Sequence, residues 1–267
     1  MSGFSSFAHG HDGELLSGIH GGDGDPDAAT AVLLHGAGNG STRRLLPLLE
    51  EFVARGCRGL AFDFSGHGES TGRLAELSLK RRFEQAVAVI DARTPANGPL
   101  VLVGFSMSGQ TVADLARHYR RRVVALGLCA PAVYAADAWP LPFGDGAGRF
   151  TEILRTPGSW RTAPALEVLR TYRGRAVLAV PGTDSVIPAE VTASVAAALA
   201  ANASFTRLDL PRAEHRLGLW FRDHAEDRRR FVDVVLADGA QGPPFGSGRP
   251  GEAAPFDRRR HDPNDRP

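Results

Sequence analysis

Short apolar runs alternate along this chain with segments whose apolar residues recur at helical spacing, and that alternation narrows its architecture more than any other feature. Ala31-Val32-Leu33-Leu34 has no polar interruption, ends at His35-Gly36, and reads as a strand buried on both faces. Leu45, Leu48, Leu49, Phe52 and Val53 then recur at helical spacing until Gly56 stops them. The pattern repeats with a strand at 59–64, a helix marked by Leu79, Phe83, Ala86, Val87 and Ile90, a strand at 99–104, a helix at 107–120 and a strand at 123–129. After residue 172 it resumes with a strand at 176–180, a helix at 189–201, a strand at 205–210 and a helix at 219–236. Such a chain builds an α/β fold of three layers, a mostly parallel sheet between two helical layers, with its functional groups at the carboxyl ends of the strands. Two earlier segments, 4–8 and 15–20, flank His11-Asp12-Gly13; the Asp-Gly pair predicts a leading antiparallel hairpin.

Two stretches depart from the rhythm. Residues 131–172 are rich in Pro, Gly and aromatic side chains. Residues 239–267 hold five Gly and six Pro among mixed charges and read as a disordered tail, so the folded domain is expected to span 1–238. The Arg258-Arg259-Arg260 run in that tail is flanked by acids and reads as a solvated segment. Over the whole chain the net charge is +1, so no global field draws in nucleic acid or an anionic membrane, and neither is an expected partner. Nearly all the basic residues are Arg, with Lys80 the sole Lys, a pattern read as compositional bias. The first ten residues lack the basic and apolar segments of a signal peptide, and no window approaches the length of a spanning helix; the expectation is a soluble, cytoplasmic protein. Cys57 and Cys129 have no metal-type spacing and read as buried free thiols; no metal or cofactor is expected.

The chemistry-bearing segment is Val101-Leu102-Val103-Gly104-Phe105-Ser106-Met107-Ser108-Gly109. A buried strand passes straight into a helix through Gly-x-Ser-x-Ser-Gly, which holds the Ser106 hydroxyl above the carboxyl edge of the sheet on a strained backbone. Small neighbours are required there because strand and helix backbones nearly touch, and Ser108 stands where a third glycine is usual. A hydroxyl nucleophile needs a base, and the base needs an orienting group. Pro181-Gly182-Thr183-Asp184 follows the 176–180 strand, and Pro211-Arg212-Ala213-Glu214-His215 follows the last one. Ser106, Asp184 and His215 thus come in the order nucleophile, acid, base, each just past a strand. Taken singly, Asp184 reads equally as a turn or cap residue, and His215 as a surface loop residue. Asp209 is the rival acid but sits within a strand; His224 falls inside the last helix and His118 on the helix after Ser106. His35-Gly36-Ala37-Gly38 closes an earlier strand at the same edge. There the backbone N–H of Ala37 pairs with that of Met107 as candidate oxyanion donors. The glycine spacing of a phosphate-binding loop is absent.

His35-Gly36-Ala37-Gly38, Asp63-Phe64-Ser65-Gly66-His67-Gly68-Glu69-Ser70, Gly104-Phe105-Ser106-Met107-Ser108-Gly109, Gly182-Thr183-Asp184 and Glu214-His215 resemble the successive blocks of α/β-hydrolases. The nearest likeness is to the serine aminopeptidase-like branch, which also holds esterases and thioesterases. The resemblance spans roughly residues 4–236 and implies the fold, an acyl-enzyme route and the Ser106–His215–Asp184 triad. It also makes 63–70 a structural turn, with no chemistry for His67, and places a short lid at about 131–172. Within that lid Trp139, Phe143, Phe150 and Trp160 serve either as the walls of an apolar acyl pocket, with Trp139, Phe143 and Trp160 as substrate-binding candidates, or as glue between cap and sheet. The expected activity is hydrolysis of a small-molecule carboxylic ester or thioester. The alternatives are acyl transfer or cyclisation through the same acyl-enzyme, and a binding protein that keeps the pocket without turnover. Substrate identity and oligomeric state are not legible in the sequence.

Overall fold

The uninterrupted apolar runs become the inner strands of an eight-stranded sheet in the computed structural model, which describes residues 3–22, 25 and 27–237. β1 (Phe4–His11) and β2 (Glu14–Gly21) form the expected antiparallel hairpin, turning through Asp12 and Gly13 at φ 47° and 79°. Then come β3 (Thr30–Leu34), α1 (Thr42–Ala54), β4 (Arg58–Phe62), α2 (Leu79–Arg93), β5 (Leu100–Phe105), α3 (Ser108–Tyr119) and β6 (Val123–Cys129). α4 (Arg149–Arg155) and α5 (Pro164–Thr171) precede β7 (Arg175–Thr183), α6 (Ala189–Leu199), β8 (Phe205–Glu214), α7 (Leu217–Asp223) and α8 (Ala225–Leu236). The order across the sheet is β1-β2-β4-β3-β5-β6-β7-β8. β2 meets β4 antiparallel, and every neighbouring pair from β4 onward is parallel.

Every residue of β3 and β5 is buried, because helices cover both faces of the sheet. Successive side chains point to opposite faces: Val32 and Leu34 join the core under α2, α3, α5 and α6, whereas Ala31 and Leu33 join the core under α1, α7 and α8. Each fully buried Leu or Phe of this kind contributes about 1.5–3 kcal/mol. No described helix is long and apolar enough to cross a membrane.

Three details depart from the sequence expectation. Residues 131–172, the expected short lid, also hold a crossover helix. They contain α4, two short 3-10 turns and α5, which opens on Pro164, buries Ala165, Leu166 and Leu169, and packs between α3 and α6 as the crossover from β6 to β7. The helix expected at 219–236 is two helices, broken at His224 (φ −120°, ψ 87°), so His224 stands at a junction rather than inside a helix. There its ring stacks on Trp220 with centroids 3.4 Å apart, while the Trp220 indole donates to Asp227 across the break. The third departure concerns the last two strands, which stay paired beyond their apolar cores through a register shift to Thr183↔Glu214. The proposed tail, 239–267, lies outside the described residues.

The β7–β8 extension depends on Gly182, where a Cβ would lie 2.0 Å from the Pro211 carbonyl oxygen. Gly182→Ala is therefore expected to prise the strand ends apart and cost about 1–3 kcal/mol in urea unfolding.

Candidate active site

At the end of β5 the chain reverses into α3 through two residues, Ser106 and Met107. Ser106 takes φ 51°, a left-handed conformation that costs a non-glycine residue on the order of 1–3 kcal/mol. It is held there by backbone bonds from both directions. The Ser106 N–H donates to Cys129 O at 2.9 Å, and Ser106 O accepts from Gly109 N at 2.8 Å and Ala132 N at 2.9 Å. A Cβ at Gly104 would lie 2.6 Å from Ser108 O, and one at Gly109 would lie 2.5 Å from Pro131 Cβ. Crowding by the segment that follows β6 thus falls on position 109. Position 108 has room for a side chain, and the fully buried Ser108 hydroxyl donates to His35 O at 2.6 Å.

The paired ends of β7 and β8 bring Asp184 and His215 together although 31 residues separate them, since each directly follows one member of the Thr183↔Glu214 pair. His215 Nδ1 donates to Asp184 Oδ2 at 2.9 Å, and Ser106 Oγ lies 3.0 Å from His215 Nε2. Asp184 Oδ1 separately accepts the N–H groups of Val186 at 2.9 Å and Ile187 at 2.8 Å. One oxygen therefore fixes the loop and the other faces the imidazole. Asp209 points elsewhere, paired with Arg207 on the exposed surface.

The loop after β3 lies against Ser106, and a Cβ on Gly36 would be 3.1 Å from Ser106 Cβ. His35 shapes this loop from beneath. Its Nδ1 donates to Gly36 O at 2.6 Å and its Nε2 accepts the Phe64 N–H at 3.1 Å. Burial, with Arg82 and His67 nearby, holds the His35 imidazole well below its usual pKa, so it stays neutral. The two bonds allow one tautomer, and the bond to Gly36 O polarises the peptide that carries the Ala37 N–H. Among the described residues neither the Ala37 N–H nor the Met107 N–H donates a hydrogen bond. The 63–70 block is a turn, as expected. Asp63 Oδ1 accepts the Thr42 N–H at the start of α1 at 2.6 Å, and Gly68 lies so close to the Asp63 carboxylate that a Cβ would come within 1.9 Å of it. His67 is buried beside His35 with its Nδ1 on Ser65 O.

The cap aromatics pack into the core on the α2–α3 side. Phe143 is buried against Phe150, with ring centroids 4.8 Å apart. The Trp139 indole donates to the buried Asp114 carboxylate at 3.0 Å, and burial raises that carboxyl above its usual range. Trp139 also lines a cavity of about 190 Å³ with Leu79, Gln110, Asp114, Tyr134 and Pro164. Trp160 is half-buried on the same core, with Arg161 over its ring. Sequence reasoning missed Arg82, which is fully buried beneath the His35 loop. Its spacing was the available signal, because Arg82 shares a helix face with Leu79, Ala86, Val89 and Ile90.

Sheet order, strand-end geometry and the Ser106 turn define an α/β-hydrolase. The chain belongs to the serine aminopeptidase, S33, family, whose model matches residues 25–217. It is similar to norfluorocurarine synthase 1 of Strychnos nux-vomica, 33% identical over 94 residues, and the match spans only about a third of each chain. Among solved structures it resembles a thioesterase domain from the curacin biosynthetic pathway (17% identity, TM-score 0.64, 88% of this chain and 99% of that one). It also resembles Est1E of Butyrivibrio proteoclasticus, solved with ferulic acid (17% identity, TM-score 0.64, 86% and 99%). At these identities the structural likeness concerns the fold.

The neutrality of His35 has a consequence for stability. Its native pKa lies below the unfolded value of about 6.5, so below that pH the unfolded chain takes up a proton that the native state refuses. Stability from this residue is accordingly unaffected above pH 6.5 and falls as pH drops beneath it. His35→Asn is expected to lower the slope of unfolding free energy between pH 6.5 and 5 by up to ~1.4 kcal/mol per pH unit, read from urea titrations at each pH.

Proposed function

We propose that this protein is a serine hydrolase that cleaves a carboxylic ester or thioester through an acyl-enzyme. The observation that carries the reading is the unbroken hydrogen-bonded line from Asp184 through His215 to Ser106, which ends on a hydroxyl held in a strained turn. Ser106 Oγ attacks the substrate carbonyl while His215 Nε2 takes its proton. The oxygen of the tetrahedral intermediate then lies against the Ala37 and Met107 N–H groups. His215 returns the proton to the departing alkoxide or thiolate. Water next attacks the Ser106 ester with His215 again as base, the acid leaves, and Ser106 recovers its proton. Asp184 holds the Nδ1–H tautomer throughout and stabilises the imidazolium that forms transiently.

On this reading the substrate is a small acyl compound, and the cap from 131 to 163 covers it, with Trp139 and Trp160 shaping its apolar side while Phe143 anchors the cap to the core. The esterase and thioesterase among the similar folds support the two substrate classes without choosing between them.

A fluorophosphonate probe should label the wild type covalently and leave Ser106→Ala unlabelled. In a panel of p-nitrophenyl esters and acyl thioesters of graded chain length, Asp184→Asn should keep its turn bonds through Oδ1 yet lose roughly 10³–10⁴-fold in kcat. Folded wild type that neither labels nor turns over any member of the panel would leave a ligand-binding protein as the better reading. Product analysis with added alcohol or amine separates hydrolysis from acyl transfer.

A further inference from the structure

Among the described residues Arg82 heads the fully buried side chains by volume. Among the described residues no carboxylate lies within ion-pairing distance of it, and its Nε and Nη1 have no hydrogen-bond partner. Its bonding is concentrated on one nitrogen. Nη2 donates to His35 O at 2.7 Å and to Ser108 Oγ at 2.8 Å, while Ser108 Oγ itself donates to His35 O at 2.6 Å. The guanidinium lies 3.8 Å from the centroid of the Phe64 ring. Burial pushes its pKa down to about 9, so it remains a cation at neutral pH.

Stability of the fold offers little reason for this arrangement. A buried cation without a counter-ion is costly, and an apolar side chain of similar length is usually as good or better for the fold. The location is informative instead. His35 O belongs to the segment that leads through Gly36 to the Ala37 N–H, and Ser108 directly follows Met107. The three-way contact therefore ties together the two stretches of backbone that carry the candidate oxyanion donors. It places a positive charge behind both. It also accounts for the serine at a position where the hydrolase turn usually has glycine, since a glycine there could neither donate to His35 O nor accept from Arg82.

We propose that Arg82 and Ser108 are positioning residues that act as a clamp, fixing the Ala37 and Met107 N–H groups relative to each other and strengthening their hold on a developing oxyanion. This inference rests on the hydrolase reading above. Neither side chain touches the substrate, so loss of the clamp should weaken transition-state binding and leave ground-state binding nearly intact.

The test compares Ser108→Ala, Arg82→Met and Arg82→Lys with wild type, using the rate of fluorophosphonate labelling, kcat and KM on one panel ester, and Tm. Ser108→Ala and Arg82→Met should each lower the labelling rate and kcat by about 10–100-fold with KM within about twofold. Arg82→Lys, which keeps a cationic donor, should recover part of that loss. Tm of Arg82→Met should equal or exceed that of wild type, an outcome that a purely structural role for the guanidinium does not produce. Variants that label at the wild-type rate overturn the clamp alone. So does a loss of activity that follows a fall in Tm, and an Arg82→Met protein that does not fold makes the guanidinium structural and overturns its role, leaving Ser108→Ala to decide the hydroxyl's. Folded wild type that does not label overturns the hydrolase reading and the clamp with it.

Discussion

A serine held at φ 51° between a buried strand and a buried helix is the constraint on which the rest of this structure depends. The turn does not persist on local preference, because the left-handed region disfavours side chains with a Cβ. It persists because the surroundings leave no alternative. β5 is fixed by six buried residues, the Ser106 N–H is taken by Cys129, and Ser106 O receives two N–H groups. Space is the second requirement. Gly36, Gly104 and Gly109 each stand where a Cβ would press on the turn or its neighbours. The local cost is about 1–3 kcal/mol, comparable to the burial of one large apolar side chain, so a sheet with this many buried strands sustains it readily.

The features that were legible in the sequence are those with a one-dimensional signature. Inner strands of a parallel sheet are apolar on both faces, so Ala31-Val32-Leu33-Leu34 and Val101-Leu102-Val103 announce themselves. Ser106, Asp184 and His215 are legible because each sits just past a strand that the sequence predicts, and the structure joins them in one line of hydrogen bonds. What stayed hidden depends on contacts between distant segments. Pro181, Gly182 and Pro211 look like strand breakers, yet the pairing of β7 with β8 continues past them to Thr183↔Glu214. α5 has eight residues, too few to display a period inside a Pro- and Gly-rich stretch. The break at His224 depends on the Trp220 stack and the indole bond to Asp227, neither of which has a sequence signature. Arg82 was hidden for another reason. In a chain whose basic residues are almost all Arg, one more attracts no notice until its helix face is seen to be buried.

The cap aromatics show how a question left open by sequence divides once neighbours are known. Phe143 and Phe150 pack on each other in the core, which is the behaviour of glue. Trp139 does two things at once. Its indole N–H satisfies Asp114, and its side chain forms part of a cavity wall with Tyr134 and Leu79. An aromatic residue with a polar handle can be locked by one edge and still present a face.

Three histidines gather at the carboxyl edge of the sheet, and their surroundings sort them without appeal to motif. His35 has both ring nitrogens engaged by the backbone and is kept neutral chiefly by burial, so it can shape a loop but not exchange a proton with a ligand. His67 packs against it with centroids 4.7 Å apart, is likewise pushed toward neutrality by burial, and directs Nδ1 to the Ser65 carbonyl. Two imidazoles packed at a 50° tilt away from water both favour the neutral form. His215 is placed differently. It is partly exposed, one nitrogen meets a carboxylate that can hold an imidazolium, and the other meets the hydroxyl of the strained serine. A base must accept a proton from one side and have the resulting charge stabilised from the other. Of these three histidines only His215 has both, and it has them because a glycine at 182 allows β7 and β8 to remain paired to their last residues.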